Sequence, residues 1–145
     1  MNNLLYMKLR RNLMEDFQSY ETLREHFESF CKAAQQLIEA GTGIQGLKAK
    51  TDDHALILEF IDRRIRVTMR RDRKAKMGAL YVKDVSNRRP DDKPMFVTAI
   101  PFDHRSETEL AGGMHADKLH LTVPHDAVAL ALLIVNTALD KDPWK

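Results

Sequence analysis

The sequence predicts an α+β fold: a long N-terminal helix, an antiparallel meander of five to six strands, and an apolar C-terminal helix packed on the sheet. Three observations carry this expectation. Apolar residues recur at spacings of three and four up to Gly41, they alternate with polar residues from Ile44 onward, and a nine-residue apolar run follows Pro124.

The first helix is expected over Asn12 to Ala40. Tyr20, Leu23, Phe27, Phe30, Ala34 and Leu37 share one helical face, while Glu21, Glu25, Glu28, Lys32 and Glu39 occupy the other. Gly41 and Gly43 supply the backbone freedom that ends a helix. Six segments then read as strands: Ile44 to Lys50, Ala55 to Ile61, Arg64 to Arg71, Met77 to Val85, Met95 to Phe102 and Lys118 to Val123. Most joints between them are too short for a parallel crossover, so successive strands should pair antiparallel. The exception is Asp103 to Asp117, whose Gly112-Gly113 pair suggests a mobile loop or lid.

The second helix is expected over Ala127 to Leu139, with Asp126 as its N-cap. The run from Ala127 to Val135 has no polar stripe, so it must be covered on more than one side, either inside the fold or by a second subunit. At nine residues it is about half the roughly 20 needed to span a bilayer, and membrane insertion is not expected. No linker, repeat or biased tract divides the 145 residues, which read as a single domain, 1–145. With 43% hydrophobic and 30% charged residues the chain is a folded globular type. Cys31 is the single cysteine, so disulfides and cysteine-based zinc sites are excluded within the chain. Together with an N-terminal segment that lacks the apolar core and cleavage site of a secretion signal, this points to a cytoplasmic protein.

Charge distribution is the strongest functional clue. The chain's formal net charge is +2, yet residues 63–76 hold eight Lys or Arg and one Asp, a net +7, which leaves −5 for the remainder. Alternation sets Ile65, Val67 and Met69 on one face of this strand and Arg64, Arg66 and Arg70 on the other. Arg71, Arg73 and Lys74 crowd the turn that follows. The candidate partner-binding residues are therefore Arg64, Arg66, Arg70, Arg71, Arg73 and Lys74, a cationic ridge suited to phosphate or carboxylate. The opposing reading is a solvated strand face whose arginines pair with Glu59 across a hairpin or with the acidic first helix of a neighbouring molecule. The segment holds no aromatic residue for base stacking, and Tyr81 would help only from the same face, so an acidic protein partner is favoured over nucleic acid.

His104, His115, His120 and His125 cluster with Asp103, Asp117 and Asp126 near the long loop. Their spacing matches no compact ligand pair, and neither a metal nor a cofactor is assigned. Asp103-His104 is the best local candidate for general-base chemistry, but adjacency in sequence supplies no geometry, and no catalytic residue is assigned. The glycines of Gly41 to Gly46 follow a helix, the reverse of the order a dinucleotide fingerprint requires. The leading expectation is a small non-catalytic binding module. A self-associating structural protein, dimeric through its apolar C-terminal helix, and a ligand-binding cup or enzyme using loop histidines are the alternatives.

Overall fold

The computed structural model describes residues 3–86, 93–108 and 118–141. Helix α1 (Asn3–Ala40) is followed by strands β1 (Leu47–Asp52), β2 (Ala55–Phe60), β3 (Arg63–Asp72), β4 (Met77–Asp84) and β5 (Met95–Phe102), then by helix α2 (Pro124–Asp140). The strands form one sheet in the order β1-β2-β3-β4-β5, and every neighbouring pair is antiparallel. This is the α+β architecture expected from the pattern.

The sixth strand does not form. His120 makes only an isolated bridge to Glu107, Leu121 and Thr122 lie in a turn, and the backbone of 119–121 is tied instead to Ser106 and Thr108. The alternation of Leu119, His120 and Leu121 reflects that short pairing: Leu121 is buried in the core while His120 donates its backbone N–H to Asp126. Asp126 is therefore not the N-cap of α2. The helix begins at Pro124, whose preset φ and missing N–H suit a first helical position.

Both helices pack on the same sheet face. Leu23, Phe27, Phe30 and Ala34 of α1 and Leu130, Ala131, Ile134 and Ala138 of α2 meet Leu56, Leu58, Ile65, Val67, Leu80 and Val82 in one continuous core. The apolar run of α2 is thus spent largely inside the molecule. Cys31 is buried there, and burial, with a smaller push from the Glu28 charge, raises its thiol pKa to about 12. A thiol this poorly ionised should react with a disulfide reagent at pH 8 far more slowly than free cysteine and at the ordinary rate once urea unfolds the chain. Reaction at the free-cysteine rate without urea would contradict the burial.

Helix α1 is longer than expected at its start. Tyr6, Leu13, Tyr20, Phe27 and Ala34 recur every seven residues, as do Leu9, Asp16, Leu23, Phe30 and Leu37. One apolar seam, interrupted only by Asp16, therefore runs from the buried half of the helix into its first turns. Leu23 to Ile38 supply the buried residues of α1, whereas every residue from Asn3 to Glu15 is exposed.

Two turns require positive φ. Asp53 (φ 46°) and His54 (φ 60°) form the two-residue connection of β1 and β2, a conformation Asp tolerates. Between β2 and β3 the same demand falls on Ile61 (φ 57°), a β-branched residue that is 80% exposed. With no packing to offset its strain, Ile61→Gly should raise stability by about 1 kcal/mol, read as a higher urea midpoint. An unchanged or lower midpoint would show that the turn is not strained.

Candidate functional site

Among the described residues the sheet face away from the helices is bare, and it carries the charge. Pairing places Glu59 opposite Arg64, Ile57 opposite Arg66, Arg66 opposite Lys83, and Thr68 opposite Tyr81. Lys48 and Lys50 extend the same face on β1. Six cations, Lys48, Lys50, Arg64, Arg66, Arg70 and Lys83, thus share it with three carboxylates, Asp52, Glu59 and Asp72. Among the described residues only Lys50 lies near a carboxylate oxygen there, 3.8 Å from Glu59. Ile57 on this face nevertheless shows almost no surface.

The six residues expected to form one ridge divide between two faces. Arg64, Arg66 and Arg70 stand on the bare face as alternation requires. Arg71 projects to the other side, where its guanidinium binds Asp16 of α1 at 2.6 Å and lies over Tyr20 at 5.9 Å. Arg73 reaches the same carboxylate at 3.6 Å. The hydrogen bond from Arg71 holds the Asp16 carboxyl below its usual range. These two arginines therefore pair with the first helix of their own molecule, not with that of a neighbouring one. Lys74 stays exposed in the turn, which Asp72 organises by accepting from the backbone of Lys74 and Ala75. A seventh cation leaves the surface altogether: Arg63 is 2% exposed and paired with Asp84 beneath the C-terminal turn of α2.

An aromatic pair lies on the bare face at its β4–β5 side. The Arg70 guanidinium carbon sits 3.7 Å above the Tyr81 ring, Lys83 Nζ lies 5.6 Å from it, and the Phe96 ring is 5.1 Å away. Phe96 remains 48% exposed. Its position depends on a register shift. Thr98 pairs with Val82 but Phe96 pairs with Lys83, so Val97 is the extra residue of a β-bulge. Val97 turns fully into the core, and Phe96 is re-aimed from the core side to the bare side. Simple alternation along β5 puts Phe96 beside Thr98, facing the helices.

Tyr81 and Lys83 were within reach of sequence reasoning once the β3–β4 turn length was known, since Asp72 opposite Met77 forces Thr68 opposite Tyr81. Phe96 was not, because nothing local in Met95 to Phe102 marks the bulge.

The histidines do not converge. His104 Nε2 hydrogen-bonds Ser19 Oγ at 2.8 Å, and His26 binds the His104 carbonyl at 2.7 Å, so this loop is fastened to α1. Asp103 does not orient His104; its carboxylate accepts from the backbone of Arg105 and Glu107 and shapes their turn. His125 is exposed, and His115, Asp117, Gly112-Gly113 and Trp144 fall outside the described residues. Among the described residues no three His, Cys, Asp or Glu side chains gather as metal ligands. No described helix is long and apolar enough to cross a membrane. No protein-family model, curated protein or solved structure matches the chain.

Proposed function

We propose that the chain is a non-catalytic, intracellular binding module whose bare sheet face holds an anionic strand, and that the strand is single-stranded nucleic acid. The observation that carries this reading is the Tyr81–Phe96 pair set among Arg64, Arg66, Arg70 and Lys83. Cations along an open sheet attract phosphates irrespective of sequence, and the exposed Phe96 ring, backed by Tyr81, offers a base a face on which to stack. The basic segment by itself holds no aromatic residue, which on sequence favours an acidic protein partner; Tyr81 on the same face supplies the ring that the segment lacks.

The test is fluorescence anisotropy with a labelled oligothymidylate and, separately, a labelled poly-glutamate peptide. Roughly four phosphate contacts should give a log–log salt slope of about −3, and Tyr81→Ala should weaken oligonucleotide binding roughly 5- to 100-fold. Arg66→Glu should abolish it at moderate salt, with the thermal transition nearly unchanged in both variants. Binding of poly-glutamate alone, indifferent to Tyr81→Ala, would replace this reading with an acidic protein surface.

A further inference from the structure

Helix α1 carries a second surface, unrelated to the bare sheet face. Every residue from Asn3 to Glu15 is exposed, over a length of about 20 Å, and the large apolar ones are not scattered. On a regular helix Tyr6, Met7, Leu9, Leu13, Met14 and Phe17 fall within roughly 160° of the circumference. Between Leu4 and Gln18, Arg10 is the one polar residue in that arc, and each of the six apolar side chains is 52 to 64% exposed. Lys8, Arg11, Asn12, Glu15 and Gln18 occupy the other side, together with Leu4. Positive charge gathers at this end of the molecule. The β3–β4 turn, which Arg71 and Arg73 tie to Asp16, brings Lys74 and Lys76 to the base of the segment. Residues 3–18 and 71–76 together hold seven cations against three carboxylates, and Asp16 is one of the three.

We infer that this segment lies on an anionic lipid surface, with its apolar arc among the upper acyl chains and its cations among the headgroups. The width of the arc selects lipid over other occupants. A helix that docks on another helix buries a narrow stripe. A bilayer interface takes in an amphipathic helix to about 5–10 Å, half or more of its diameter, and so covers close to half of its circumference. A nucleic acid would meet the cations and leave all six apolar side chains in water. The apolar arc alone would suit any oily surface; the excess of Lys and Arg around it specifies an anionic one. Arg10 fits the same placement, because its long stem carries the guanidinium up to the headgroups. With Lys8, Arg11 and Glu15 on its polar side, the segment lies along the surface and does not cross it.

Co-sedimentation of the full chain with vesicles of phosphatidylcholine and phosphatidylserine provides the test. Binding should fall at least tenfold on pure phosphatidylcholine and in Lys8→Glu/Arg11→Glu, and be lost in Leu9→Glu/Phe17→Glu. Arg66→Glu, which removes a cation of the sheet face, should leave it nearly unchanged. A fluorophore attached at Leu13→Cys should be quenched by brominated acyl chains and one at Lys8→Cys should not, while the buried Cys31 stays unlabelled. This contrast decides the matter if the glutamates at Leu9 and Phe17 disturb the fold. A chain that ignores anionic vesicles overturns the inference, as does equal quenching of the two labels. Binding that persists in Leu9→Glu/Phe17→Glu, or vanishes in Arg66→Glu, overturns it too, since the lipid would then meet another surface.

Discussion

Replacing Asp84 with asparagine should destabilise the protein by roughly 3–5 kcal/mol, enough to lower the melting temperature by about 10 °C. Asp84 is 5% exposed and faces Arg63, whose other terminal nitrogen donates to the Ala138 carbonyl at 2.9 Å. That carbonyl belongs to the last turn of α2, where it also accepts the backbone N–H of Lys141 at 3.3 Å and the helix end is partially negative. Removing the carboxylate takes from the buried guanidinium its ion pair with Asp84. The double variant Arg63→Met/Asp84→Leu removes both halves of the pair and should recover most of the loss, because breaking a buried pair costs more than replacing it by apolar groups. Equal instability of the single and double variants would refute this account.

The same pair sets a pH dependence. Burial works against ionising Asp84, but hydrogen bonds from Ser86 and Arg63 together with the Arg63 charge outweigh it, so the carboxyl titrates below its ordinary value. A carboxylate with a depressed native pKa contributes stability that is fully present above the unfolded value and disappears as pH falls through the native one. The gap in stability between the native chain and Asp84→Asn should therefore be constant near neutrality and narrow below about pH 4. Urea melts at pH 7, 4 and 3 measure it.

The second large effect is expected at Gly78. A β-carbon there would lie 2.5 Å from the tip of the Phe102 ring, and Phe102 is fully buried opposite Gly78 in the β4–β5 ladder. The ring cannot swing into solvent, so Gly78→Ala should cost about 2–3 kcal/mol through displaced core packing. Gly78→Ala in a Phe102→Leu background should cost much less than in the native chain, and the difference between the two backgrounds gives the coupling directly. Additive losses would show that the two residues do not touch.

Why some features were legible and others were not follows from the range of the forces involved. The spacing of Leu23, Phe27 and Phe30 and the alternation of Ile65 and Val67 record one-sided burial, so helix and strand identity could be read locally. Short joints then required the meander. The extra turns of α1 were missed because Leu9 and Leu13 are interrupted by Lys8, Arg10 and Arg11 and gain no cover within the body. The ridge was split in space for a similar reason. Arg71 sits one residue beyond Arg70 and so on the opposite face, and its partner Asp16 is 55 residues away. Likewise, nothing near Arg63 announces that its charge is matched by Asp84.

The two outer strands of the sheet end the pairing as well as beginning it. β1 is short and bears Lys48 and Lys50, and β5 carries the Val97 bulge and Pro101, which has no N–H to offer another strand. Lysines, a bulge and a proline are the means by which sheet edges avoid templating aggregation. A sheet bounded this way does not lengthen by recruiting strands from neighbouring molecules, so crowding this protein should favour discrete particles over fibrils.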